Sequence, residues 1–208
     1  MKKIVLIGGG GHCKSVIDAI ESMGEFEIVG ITDPLDKGTI LNIDILGGDD
    51  LLQSIFDSGV RYAFVTLGSV GDPTHRIKLH NMLKSLGFSI PIIIDNTAIL
   101  SSYTNIGEGT FIGKGVIINS DATIGIQTII NSGSIIEHDC TIGDYVHIAP
   151  GCAISGSVNI GFNSHIGTGS KIIEGISIGN NTLIGAGTVV VNSFGDGLKI
   201  YGNPGRIK

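Results

Sequence analysis

From residue 106 onward an aliphatic residue falls at every sixth position: isoleucine at 106, 112, 118 and on to 184, with Val190 next in register. Four positions after each isoleucine stands a small or β-branched residue, beginning Thr110, Val116, Ala122 and ending Ile176, Thr182, Thr188. A period of six is neither the 3.6 of an α-helix nor the plain 2 of a strand, so each unit must be a short strand followed by a corner. Three such sides close a triangular coil, and each isoleucine then stacks on the one eighteen residues later. The pattern predicts a parallel β-helix with an inward isoleucine ladder, the second column filling the narrow corners. Glycine follows many of the isoleucines, as at Gly107, Gly125, Gly143 and Gly167, and is expected to ease the close turn.

The first half has a different rhythm. KKIVLIG reads as a buried strand, GGGGHCKSVIDAIES as a glycine-rich turn entering a helix, and FEIVGITD as a second strand, which together make a βαβ unit. RYAFVTLG, the helical DPTHRIKLHNMLKSLG and FSIPIII add a further βα unit and a strand leading into the repeat. Gly8 to Gly11 let backbone approach a ligand, and the helix starting near His12 points free N–H groups and a positive dipole at an anion such as a diphosphate. Asp33, ending the second strand, is placed to accept hydrogen bonds from a ribose or base. A glycine turn of this kind is shared by ligand sites and plain tight turns, and the spacing is not GxGxxG. A region of about 95 residues is also too small for a full dinucleotide fold, which points away from a dehydrogenase.

Composition narrows the classes. With 42% hydrophobic residues, 33 glycines, no tryptophan and a formal charge of −6, the chain is a folded protein rich in tight turns. It lacks a cationic surface for nucleic acid. The apolar stretch of MKKIVLIGGG is cut short by glycine, so the N-terminus reads as a strand of a cytoplasmic protein, with no membrane insertion. Cys13, Cys140 and Cys152 form no CxxC pair, which leaves structural zinc and disulfides without support.

The repeat resembles that of the hexapeptide acyltransferases, whose left-handed parallel β-helices work as trimers, over roughly residues 97 to 191. GGGGH near the start, ITD after the first helix, TLG later, EHDC inside the repeat and GNPGR at the end together look like one family. It is the bacterial sugar acyltransferases of the sialic acid O-acetyltransferase (NeuD) type, which include the PglD-like nucleotide-amino-sugar N-acetyltransferases. The resemblance implies a Rossmann-like nucleotide-sugar-binding α/β domain over 1–95 and a left-handed β-helix acyltransferase domain with a C-terminal tail over 96–208. It further implies acetyl-CoA as co-substrate, a nucleotide-linked amino sugar as acceptor, a homotrimer and no metal.

Carried over position by position, Gly10, Gly11 and His12 match the family's nucleotide-contact turn, Asp33 its acidic residue and Gly68 a later glycine contact. His138 matches the catalytic base, and Asp139 stands where a carboxylate, often the longer Glu, orients it. His147 matches a histidine beside the acetyl thioester. Gly156, Thr168 and Ala186 fall where backbone lines the pantetheine track. GNPGR resembles the closing GxPA[KR], with Gly205 in place of alanine, which sets Arg206 and Lys208 toward CoA phosphates.

The chemistry agrees with these assignments. Amide formation needs a neutral amine, so a base must take a proton, and histidine with a reference pKa of about 6.5 and a carboxylate partner suits that duty. Glu137, His138 and Asp139 interrupt a run otherwise of Asn, Ser, Gly and Thr, although a polar corner histidine is also an ordinary outcome in a repeat. An acyl-enzyme through Cys140 or Cys152 is disfavoured by their inward column, while Cys13 at a helix start is the more reactive thiol or else a helix residue facing the sheet. His147 and His165, eighteen apart, share a slot on successive coils; a zinc site needs a third imidazole, which has no suitable spacing here. His75 and His80 belong to a helix where surface or packing roles are the default. The competing activities are O-acetylation of a sialic-acid-like sugar and a non-catalytic trimeric scaffold.

Overall fold

The computed structural model describes residues 1–35 and 38–208. They form two compact units, one of residues 1–69 and 74–96 and one of 70–73 and 97–208.

The first unit is an α/β layer built on β1 (Lys2–Ile7), α1 (Gly11–Met23), β2 (Phe26–Thr32), β3 (Thr39–Ile40), β4 (Ile43–Gly47), α2 (Leu52–Asp57), β5 (Tyr62–Val65) and α3 (Thr74–Leu86). The sheet order is β3-β4-β2-β1-β5, parallel except for β3. β1 lies between β2 and β5, and Ile4 to Ile7 are at most 1% exposed, as a strand covered on both faces requires. α1 buries Cys13, Val16, Ile17 and Ile20, an i, i+3, i+4, i+7 stripe, and stops at Gly24, whose left-handed φ of 67° lets its N–H reach the Ile20 carbonyl. The β3–β4 hairpin and α2 were not expected from sequence. The hairpin turns at Leu41 and Asn42, both at positive φ (48° and 66°), a geometry usually advertised by Asn-Gly or Gly-Gly rather than by leucine.

The second unit is the left-handed parallel β-helix. Sixteen two-residue strands, from Ile99–Leu100 to Val189–Val190, stack in parallel on three faces, neighbouring strands of a face lying eighteen residues apart. The second residue of each pair points inward, and Ile112, Ile130, Ile148, Ile166 and Ile184 are completely buried in one such stack. Each buried side chain of this size contributes about 1.5–3 kcal/mol. The second column is buried too, and all but one of its hydroxyls are bonded, the exception being Thr188 Oγ1. Thr128, Ser134 and Ser170 donate to the carbonyls of Gly143, Ala149 and Gly185 at 2.9–3.0 Å, so these small polar residues sit in the core with their donors met.

The corners correct one expectation. The third residue after every isoleucine from 106 to 184 has a left-handed φ of 52–72°, and half of these residues are not glycine. The glycine directly after isoleucine does not supply that turn. At Gly107 an added Cβ would lie 2.6 Å from the Ile126 amide nitrogen, so this glycine admits the backbone of the next coil. After Val190 the chain adds a terminal hairpin, Lys199–Tyr201 with Arg206–Ile207.

Candidate active site

His138 and Asp139 occupy a corner of the β-helix immediately after the inward Ile136 and Glu137. Asp139 takes the left-handed position (φ 59°), and that turn swings its short side chain back toward the preceding residue. The His138 Nδ1–H donates to Asp139 Oδ2 at 2.7 Å, so the reach of an aspartate suffices here. This bond fixes the tautomer and leaves Nε2 as the basic nitrogen. The Asp139 bond holds the imidazole above its ordinary value of 6.5; desolvation opposes it, and the charges of Asp139, Glu137 and Glu174 each add a smaller upward push. Both side chains are about half exposed (54% and 56%), open to a partner from solution. Glu137 is held aside, accepting a hydrogen bond from Asn119 Nδ2 at 2.9 Å.

Gly156 is one coil further along, and it is buried. A Cβ there would fall 2.6 Å from His138 Cε1, 2.8 Å from Nε2 and 3.2 Å from Nδ1. The absent side chain is therefore the seat of the imidazole, a role that the eighteen-residue period between 138 and 156 foreshadows but that sequence reasoning assigned only to a cofactor track. Thr168 and Ala186 form an exposed column on successive coils, linked by the Gly187 N–H to the Thr168 carbonyl at 2.8 Å. Arg206 and Lys208 are exposed on the terminal hairpin with Lys199, three cations on one short element of an acidic chain.

His147 and His165 are paired in register on adjacent strands, their rings edge to face with centroids 4.9 Å apart. His147 is half-buried, whereas His165 is 8% exposed, and burial holds it below 6.5. Among the described residues no group of three or more His, Cys, Asp or Glu is arranged to hold a metal ion.

In the first unit, Gly10 is the extended residue before α1, with no side-chain cap and no acidic residue in the first turn. Gly10 and Gly11 face open space, so their exposed amides are accessible to a ligand. Gly68 lies beside His12, its Cβ position 3.6 Å from the His12 Cβ, so the two glycine loops meet at one end of the sheet. Asp33 joins them through backbone amides. Its Oδ2 accepts from the Gly9 N–H at 2.7 Å and its Oδ1 from the Leu35 N–H at 2.9 Å, so its carboxylate first shapes the loops. Beneath lies a cavity of about 230 Å³ lined by Ile7, Thr32, Asp49, Leu67, His75 and Leu79, among others. Asp49 and His75 went unnoticed as site residues, because residues so far apart in the chain carry no local motif.

Cys13 is not the reactive thiol. It is fully buried against the sheet, and desolvation pushes it up to about 11. Cys140 and Cys152 are buried in the inner column, and desolvation raises both. No helix among the described residues is long and apolar enough to cross a membrane.

Residues 3–83 match the PglD N-terminal domain, and residues 121–156 match the bacterial transferase hexapeptide (six repeats). No curated protein sequence matches the chain. Among solved structures, the perosamine N-acetyltransferase from Caulobacter crescentus, a histidine-to-asparagine variant in complex with CoA and GDP-perosamine, is 35% identical with a TM-score of 0.95. That match covers all of this chain and 97% of the other. The acetyltransferase domain of PglB from Neisseria gonorrhoeae is 29% identical with a TM-score of 0.94, both chains covered completely, and has also been solved with acetyl coenzyme A. WeeI from Acinetobacter baumannii is 26% identical over the full length of both chains, with a TM-score of 0.88. With an α/β unit of PglD type, a hexapeptide β-helix and a 35%-identical relative aligned from end to end, this chain belongs to the PglD-like family of hexapeptide-repeat acyltransferases.

Proposed function

We propose that this protein transfers the acetyl group of acetyl-CoA to the amine of a nucleotide-linked 4-amino-deoxy sugar, with His138 as general base. The observation that carries this reading is the His138–Asp139 pair, 2.7 Å apart, half-exposed and seated on Gly156. The relatives support it: one is a perosamine N-acetyltransferase with CoA and GDP-perosamine bound, and another is an acetyltransferase domain with acetyl coenzyme A.

The sugar ammonium first loses one proton to solvent to become a nucleophile, and its nitrogen then attacks the thioester carbonyl carbon. Nε2 of His138 takes the second proton as the C–N bond forms, while Asp139 stabilises the imidazolium. The carbonyl electrons move to oxygen, where His147 or a backbone N–H stabilises the oxyanion. Collapse breaks the C–S bond, and the CoA thiolate recovers the proton from Nε2. No covalent acyl-enzyme is required, in keeping with three buried thiols.

In this reading Gly10, Gly11, His12, Asp33 and Gly68 hold the nucleotide. Thr168, Ala186 and the Gly156 backbone follow the pantetheine, and Arg206 meets a CoA phosphate. The working form is a cytoplasmic homotrimer, with CoA in the grooves between neighbouring β-helices. The test is CoA thiol release from acetyl-CoA with a panel of nucleotide-linked 4-amino sugars and free sialic acid. We expect turnover with an amino sugar, and His138→Ala to lower kcat/KM by about 10²–10⁴-fold. Turnover with sialic acid alone, or an unimpaired variant, overturns the reading.

A further inference from the structure

The cavity of the first unit has a polar wall of one sign. Asp33 has both oxygens engaged by backbone amides, and the Thr32 hydroxyl donates to Asp49 Oδ1 at 2.8 Å. Thr32 is fully buried and has its only side-chain proton committed. The half-buried Asp49 carboxylate keeps lone pairs beyond the one that Thr32 occupies. The wall therefore offers a ligand acceptor capacity, with the His75 imidazole on the same cavity. Ile7, Leu67 and Leu79 supply flat apolar contact. A planar ring with two adjacent N–H donors on one edge meets those demands.

Resting on the proposed nucleotide reading of this unit, we infer that the cavity selects guanine, read by the Asp49 carboxylate. Guanine presents N1–H and N2–H side by side, which a carboxylate accepts bidentately. Uracil and thymine present one N–H flanked by carbonyl oxygens, so a bidentate carboxylate there sets one of its oxygens against a carbonyl oxygen. Adenine and cytosine place an unprotonated ring nitrogen beside the amino group and meet the same repulsion. Rejection by an unpaired or repelled buried polar group is stronger than selection by shape alone.

The test is isothermal titration of the full-length protein with GDP, UDP, dTDP and ADP, repeated with Asp49→Asn and Asp49→Ala. A bidentate base contact corresponds to discrimination of about 1–3 kcal/mol, so GDP is expected to bind roughly ten- to a hundredfold tighter than the others. In Asp49→Asn the carboxamide accepts from an N–H and donates to the neighbouring carbonyl, a pair that uracil N3–O4 and guanine N1–O6 both present, so the guanine preference over UDP should be lost. Asp49→Ala should lose the guanine preference without gaining one for uracil. Tight binding of several diphosphates without guanine preference, or preference unchanged in both variants, overturns the base assignment while leaving the nucleotide reading in place. Failure of every diphosphate to bind the unaltered protein overturns both.

Discussion

At the scale of single residues the proposed chemistry rests on one tautomer. Asp139 accepts from Nδ1, so the proton must be exchanged at Nε2, and the same bond is the largest influence raising the histidine above 6.5. Only neutral His138 can act as a base, so kcat/KM is expected to fall on the acid side of its titration. Asp139→Asn removes the charge and weakens the bond, and the acid limb should then move to lower pH, toward the ordinary value of 6.5. The rate above that limb should also drop, because the imidazolium loses its stabilising partner. Both groups are half exposed, so high salt should shrink the difference between wild type and variant. A pH profile of kcat/KM at two ionic strengths reads all three effects, and a limb that stays fixed in the variant assigns the titration to another group.

At the scale of the repeat, two classes of glycine perform different tasks. Gly151 sits at a left-handed corner (φ 69°) with nothing within 4 Å of its missing Cβ, whereas Gly107 meets the next coil's backbone at 2.6 Å. Asparagine tolerates left-handed φ, as Asn163 and Asn181 do at equivalent corners. Gly151→Asn should therefore change the unfolding midpoint in urea little, while Gly107→Ala, the smaller substitution, should lower it clearly. The reverse order would mean that dihedral strain rather than coil spacing limits the repeat. The same distinction marks what was legible in the chain. A period of six reports an architecture, because every unit repeats the same burial, and the isoleucine ladder, the buried small column and the His147–His165 pairing all follow from spacing. Which glycine bears the turn is not legible from occupancy, since half the corner residues are other than glycine. In the first unit, strands with continuous apolar runs were readable, but a hairpin turning on Leu41 and Asn42 lacks the usual signal. The Thr32–Asp49 contact joins the end of one strand to the turn after another, seventeen residues on, rather than belonging to any motif, and so did not announce a site.

Over the whole molecule, two histidines bias acid sensitivity in opposite directions. His165 is buried and held neutral below 6.5, whereas in the unfolded chain it titrates near 6.5. Between those values the unfolded state binds the extra proton, so acid favours unfolding, and stability rises with pH until the unfolded histidine is neutral. His138 runs the other way: raised in the fold, it contributes stability that is complete below 6.5 and fades as pH climbs through its folded value. That second contribution is small, because an exposed pair is screened by water and salt. The net expectation is a loss of stability on going from pH 7.5 to 5.5 dominated by His165. Replacing it with leucine, the residue that Leu183 places on the next strand of the same face, should flatten the decline. The measurement is the urea midpoint of wild type and His165→Leu at both pH values. An equal decline in the two proteins would move the source of acid sensitivity away from the buried histidine and onto the carboxylates of this acidic chain.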